Sequence, residues 1–177
     1  MEWTGARYAD GPTAEAQTWI DAPPQSVWDL VADIGQMPSM SRELRSVEWQ
    51  DGVTGPAVGH RFVGRSRHEA MGEWETTSHV VECAAPGGPD GGVFAWAVGD
   101  PDEPSALWRF TLEPRDGGTL LRQWMRMGPG RSGLSVAIER VPDKEQKIVF
   151  VRMRELENAM IGTLAAIKER VEQQTGP

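Results

Sequence analysis

The chain has 177 residues, 39% hydrophobic and 25% charged, the proportions of an ordinary globular domain large enough to bury a core. Its net charge of −8 argues against a nucleic-acid partner, because phosphate backbones call for a basic surface. No apolar run approaches the ~20 residues that span a bilayer, so membrane insertion is not expected.

The N-terminus, Met1-Glu2-Trp3-Thr4-Gly5, has neither a basic start nor an apolar stretch. With a single cysteine, Cys83, no internal disulfide can form, and the two features together predict a cytoplasmic location. Residues 1–13 contain Gly5, Gly11 and Pro12 and no periodic pattern; they are expected to be a flexible arm ahead of one domain over residues 14–177. A first strand is predicted over Ala14–Ile20. Asp21 then stands in N-cap position before Pro23 and Pro24, residues that the first turn of a helix tolerates. Val27, Leu30, Val31 and Ile34 recur at helical spacing and give that short helix one buried face. A second helical turn or loop, from Gln36 to Leu44, carries Met37 and Met40.

Strands are then predicted near Arg45–Gln50, His60–Arg67, Glu73–Ala84, Val93–Val98, Ala106–Pro114 and Thr119–Met127. Turn-forming clusters separate them, among them Asp51-Gly52, Ala85-Pro86-Gly87-Gly88 and Gly99-Asp100-Pro101. Asp116-Gly117-Gly118 between two alternating segments marks a hairpin. Close spacing of this kind favours an antiparallel meander over alternating βαβ units. Gly128 to Val141 reads as a loop with at most a helical turn. Asp143 and Gln146 form a capping pair for a final helix reaching Gln174. Val149, Met153, Leu156, Met160, Leu164, Ile167 and Val171 make one apolar stripe along it. Gly162 interrupts this helix, which suggests close helix-to-sheet packing or a ligand near the backbone.

Several motifs, in this order and spacing, resemble the START-like helix-grip superfamily (SRPBCC), and within it the bacterial polyketide cyclase/dehydrase-like branch. They are Ala22-Pro23-Pro24-x-x-Val27-Trp28, Val58-Gly59-x-x-Phe62, Trp74-x-x-Thr77-x-x-Val80, Trp108-Arg109-Phe110 with Gly117-Gly118-Thr119-x-Leu121, and Asn158-Ala159-Met160. The resemblance implies an α+β helix-grip fold. In it a curved antiparallel sheet of about seven strands wraps around the long C-terminal helix, with two short helices after the first strand. It also implies a cavity between sheet and helix that holds a small hydrophobic molecule such as a polyketide, lipid or aromatic metabolite. No cofactor is implied, and a homodimer is compatible with the pattern.

Strand alternation assigns the walls of that cavity. Phe62, Gly64 and Ser66 should face inward from one strand, and Trp74, Thr76, Ser78 and Val80 from the next. Phe94 and Trp96 follow, then Trp108, Phe110 and Leu112, then Leu121, Gln123, Met125 and Met127. Met160 and Leu164 would close the space from the helix. Aromatic residues on an inner face serve equally well as plain core; the resemblance turns them into ligand contacts.

Aromatase/cyclases of the resembling branch use an arginine and a tyrosine or other proton donor. By position these slots fall at Val80 and near Leu44, whose side chains exchange no protons. Candidate catalytic groups are therefore His68, Ser78 and Gln123, with His68 as acid or base and Gln123 orienting a carbonyl. The competing readings are a solvated histidine beside a turn and an amide bonded to a hydroxyl such as Ser78. Glu82 falls in the inward register, but so near the strand end that solvent exposure is favoured, while Arg109 and Arg122 fall outward as cross-strand partners for carboxylates. His60, His68 and His79 are spaced too irregularly for a metal site, and Cys83 lacks paired zinc-ligand spacing. Ligand binding, a cyclase or dehydratase reaction, and a chaperone-activator-like interaction module are thus the three functions the sequence allows.

Overall fold

The computed structural model describes residues 1–87 and 91–175. Its architecture is the α+β helix-grip arrangement, built on one seven-stranded antiparallel sheet and a 31-residue terminal helix. The strands are β1 (Thr13–Ile20), β2 (Leu44–Trp49), β3 (Arg61–His68), β4 (Gly72–Ala84), β5 (Gly92–Val98), β6 (Ala106–Arg115) and β7 (Gly118–Met127). Their order across the sheet is β1-β7-β6-β5-β4-β3-β2, so β2 to β7 meander and β1 joins the far edge by pairing with β7. Helices α1 (Pro24–Val31), α2 (Gly133–Arg140) and α3 (Glu145–Thr175) complete the fold.

Local chemistry explains most boundaries. The β6–β7 turn holds Asp116 at φ 53° and Gly117 at φ 79°, the pair of positive values a tight hairpin needs. Gly118, at the start of β7, has no room for a side chain: a Cβ there would lie 2.3 Å from the carbonyl oxygen of Ile20. Gly88, the last residue of the turn expected after β4, lies outside the described residues.

Helix starts depart from expectation. Pro23, extended at ψ 148°, is the N-cap of α1 and makes no side-chain cap bond. Asp21 sits two residues earlier, and its N–H donates to Glu172 of α3 at 2.9 Å. The second helical turn is a 3-10 segment over Ile34–Ser39, capped by Asp33, whose carboxylate accepts from the N–H of Gly35. Gly128–Val141 contains a full helix, α2, because Ser132 caps it and Ser135 returns the bond to the Ser132 N–H. Asp143 lies in a 3-10 turn, Pro142–Lys144, ahead of α3, and the Gln146 amide donates to the Gly5 carbonyl instead of closing a cap with it. Gly162 faces open space rather than the sheet.

The apolar stripe of α3 is buried along its whole length, from Val149 to Val171. Its second half lies chiefly on β1 and α1, where Ile20, Val27, Val31 and Ile167 are fully buried in one cluster. Each such side chain contributes about 1.5–3 kcal/mol through burial. Residues 1–13 run along the first half. The Tyr8 hydroxyl is 2.7 Å from the Gly130 carbonyl, Trp3 meets Phe150 edge-on at 5.1 Å, and the N-terminal amine is 2.7 Å from Glu157. Among the described residues no helix is long and apolar enough to cross a membrane.

Candidate functional site

Between the inner face of β2–β7 and the first half of α3 lies a cavity of about 620 Å³. Its walls follow from register. Phe62 of β3 faces Ser78 of β4, Ser78 faces Val98 of β5, and Val98 faces Ala106 of β6. Ser66 opposes Trp74, Phe94 opposes Phe110, Trp96 opposes Trp108, and on β7 Met125 and Gln123 continue the last two rows. Thr76 lies between Trp74 and Ser78, opposite Gly64, whose missing side chain lets Leu44 close in: a Cβ there would lie 3.2 Å from Leu44 Cδ1. Ile34, Leu156, Ala159, Met160 and Thr163 form the opposite wall.

The aromatic wall is preorganised. Trp96 stacks on Trp108 with centroids 6.3 Å apart and planes 12° apart. It also meets Phe94 at 5.3 Å and both Phe62 and Phe110 at 6.0 Å. Each such pair contributes about 0.5–1.5 kcal/mol beyond burial, so these rings brace one another.

Two of the expected ligand contacts fall elsewhere. Leu121 is fully buried in the core, outside the cavity. Leu164 lines a separate open groove of about 390 Å³ between β1 and α3, with Gln17, Thr18 and Ile161. The slots at Val80 and Leu44 contribute apolar surface only, Val80 buried in the core cluster and Leu44 in the cavity wall.

The three candidate catalytic groups do not converge. Ser78 and Gln123 lie three strands apart, about 14 Å in that direction alone, and no hydrogen bond joins them. His68, at the end of β3, is outside the cavity lining: its Nδ1 accepts from the N–H of Ala70, and its Nε2 is 3.5 Å from Glu155 on α3. Gln123 is 7% exposed and its Oε1 is buried without a partner in the protein. Leaving such a group unmatched costs about 1–3 kcal/mol. Turning the amide over would only exchange a stranded acceptor for stranded donors.

A bulge corrects the register at Glu82 and gives the exposure expected there a different cause. Val80 pairs with Trp96 but Glu82 pairs with Ala95, so one extra residue intervenes and the alternation flips. Glu82 therefore points outward, where its carboxylate meets Arg109 at 2.7 Å. Arg122 is also outward, 3.8 Å from Glu113.

The polar element that sequence reasoning missed is on α3. Both terminal nitrogens of Arg152 donate to Glu43, at 2.6 and 2.7 Å, and one also approaches Glu155 at 3.4 Å. Burial opposes its charge, but the carboxylates of Glu43 and Glu155 outweigh that and hold the guanidinium above its ordinary pKa. Arg152 and Glu43 both border the cavity. The signal was present: Arg152 stands three residues after Val149 and four before Leu156, on the apolar face of an amphipathic helix. Burial also pushes the Cys83 thiol up, which suppresses the reactive thiolate. Among the described residues no cluster of His, Cys, Asp and Glu could hold a metal ion.

The family model described as polyketide cyclase / dehydrase and lipid transport matches residues 12–155. No curated protein matches the chain. Among solved structures, a polyketide-cyclase-like protein from Corynebacterium glutamicum is 28% identical, with a TM-score of 0.63 and 92% of each chain covered. The Zhui aromatase/cyclase from a Streptomyces species is 16% identical, with a TM-score of 0.65, covering 94% of this chain and 99% of its own. A protein from Thermus thermophilus is 15% identical, with a TM-score of 0.60, covering 93% of this chain and 100% of its own. At 15% and 16% identity the last two show a shared fold alone.

Proposed function

The chain belongs to the polyketide cyclase / dehydrase and lipid transport family, and from that premise we propose that it binds a small hydrophobic molecule between sheet and α3. A polyketide, a lipid or an aromatic metabolite fits this description. The observation that carries the reading is the cavity itself: about 620 Å³, walled by Phe62, Trp74, Phe94, Trp96, Trp108 and Phe110. That volume is in the range of sites for drug-sized ligands, and the apolar wall with few polar groups is their usual composition. Met125 and Met160 add adaptable surface, and the hydroxyls of Ser66, Thr76 and Ser78 offer hydrogen bonds on the β3–β4 side.

Binding is favoured over a cyclase or dehydratase reaction because, among the described residues, no free acid–base pair faces the cavity interior. His68 is engaged with Glu155, and Glu43 with Arg152. Any catalysis would rest on the shape of the cavity and on Gln123 holding a carbonyl in place.

The test is native mass spectrometry of the protein as purified, followed by titration with Nile red, a neutral apolar dye. Bound apolar mass and dye uptake are expected in the wild type. Thr76→Trp, which projects an indole into the cavity from a strand that accommodates it, should keep the circular dichroism spectrum and lose dye uptake. Undiminished uptake by that variant would place the binding surface elsewhere.

A further inference from the structure

Taking the cavity as the binding site proposed above, we infer that its ligand is an uncharged ring compound with a hydrogen-bonding group, a phenol hydroxyl or ring ketone, placed at Gln123. A free carboxylic acid is selected against. Two independent observations meet here. The first is the Gln123 amide, whose Oε1 is buried and unpartnered on a residue that is 7% exposed and borders the cavity. It stands in the row that contains Phe110 and Phe94, beside the stacked Trp96 and Trp108. A flat ring against those aromatics brings its edge substituent to the amide. A ketone accepts from Nε2, and a hydroxyl donates to Oε1 once the amide is turned.

The second observation concerns charge. Among the described residues only two cations border the cavity, Arg131 and Arg152. Arg152 is already forked onto Glu43 at 2.6 and 2.7 Å, with Glu155 close by. Arg131 is forked onto Glu139 at the water-exposed mouth, where a charge contributes little to holding an anion. An ionised carboxylate entering the cavity would lose its hydration and find no free counter-charge.

Equilibrium dialysis against three probes of one size, naphthol, naphthalene and naphthoate at neutral pH, tests this directly. Naphthol is expected to bind roughly fivefold more tightly than naphthalene through the amide bond. It should exceed naphthoate by roughly tenfold or more, since that ion is desolvated without compensation. Gln123→Leu, which removes a stranded polar group and should fold, is expected to abolish the preference of naphthol over naphthalene. Glu43→Gln frees Arg152 from one carboxylate and should raise naphthoate affinity.

Naphthoate binding as tightly as naphthol in the wild type overturns the selection against anions. Unchanged naphthol preference in Gln123→Leu overturns the role of the amide. Equal affinities for all three probes, with Nile red still taken up, overturn the ligand class and leave the cavity standing. Failure of all four molecules to bind overturns both.

Discussion

From Leu164 to Val171 the final helix lies on β1 and α1, with Leu164, Ile167 and Val171 all at 2% exposure or less. From Glu145 to Leu156 the same helix is held by polar contacts, and from Arg152 to Thr163 it borders the cavity. Glu145 accepts from the N–H of Tyr8, Gln146 donates to Gly5, Arg152 grips Glu43, and Glu155 approaches His68. The stripe of apolar residues is the same in both halves; what faces it is not. The second half meets a sheet edge whose inward residues, Ala14, Ala16 and Ile20, are in the core. The first half meets empty space, α2 and residues 1–13. One continuous helix thus clamps the fold with one end and borders the cavity nearer the other, and there ion pairs add to the burial of Val149 and Met153.

The largest expected effect compares two substitutions of equal volume. Ile167→Ala, at a fully buried site, should cost about 2–5 kcal/mol because the void it leaves is enclosed. Leu156→Ala opens onto existing space and should cost about 1–2 kcal/mol, close to the transfer term alone. Urea denaturation of both proteins decides the matter, and equal losses would break the distinction between the halves.

Next comes Arg152→Met, which strands Glu43 with its side chain only 16% exposed. A loss of about 1–3 kcal/mol is expected, between the values for exposed and for fully buried pairs. The double variant Glu43→Leu/Arg152→Met should recover part of it, because neither charge is then left alone. If the single variant melts with the wild type, polar contacts are not what holds the first half of α3.

The smallest effect should come from Glu172, a polar contact on the clamped half. The N–H of Asp21 and then the ammonium of Lys168 hold its carboxyl below the ordinary glutamate pKa. With the folded value depressed, the contribution is present above the unfolded pKa and is lost as pH falls through the folded one. Wild-type melting temperature should therefore fall more steeply in acid than that of Glu172→Gln, with a minor difference at neutral pH. Superimposable pH profiles would show that this contact contributes nothing.

Most of the fold was legible because strands and helices announce themselves by period. The six predicted strands after the first lie within one or two residues of β2 to β7, since Gly and Asp at their turns mark where alternation stops. The cavity-facing sets on β3 to β7 followed from period two. That rule failed at Glu82, because the extra residue of the bulge after Val80 carries no glycine and leaves no mark in composition. It was also insufficient at His68, whose inward register ends at a strand terminus, so the ring reaches Glu155 on α3 instead of the interior.

By itself, the sequence determined the order of elements, the inward and outward faces of the strands up to the bulge in β4, the continuous apolar stripe of α3 and the family pattern. Each of these depends on residues a few positions apart, and neighbouring dihedrals set them. Tertiary structure alone decided that Trp96 and Trp108 border a void rather than a filled core, because the separation of sheet and helix is a property of the whole assembly. It alone joined Glu43 to Arg152 across 109 residues and left the Gln123 amide unpaired. Partners distant along the chain are chosen by how layers meet in space, and no local period encodes that choice.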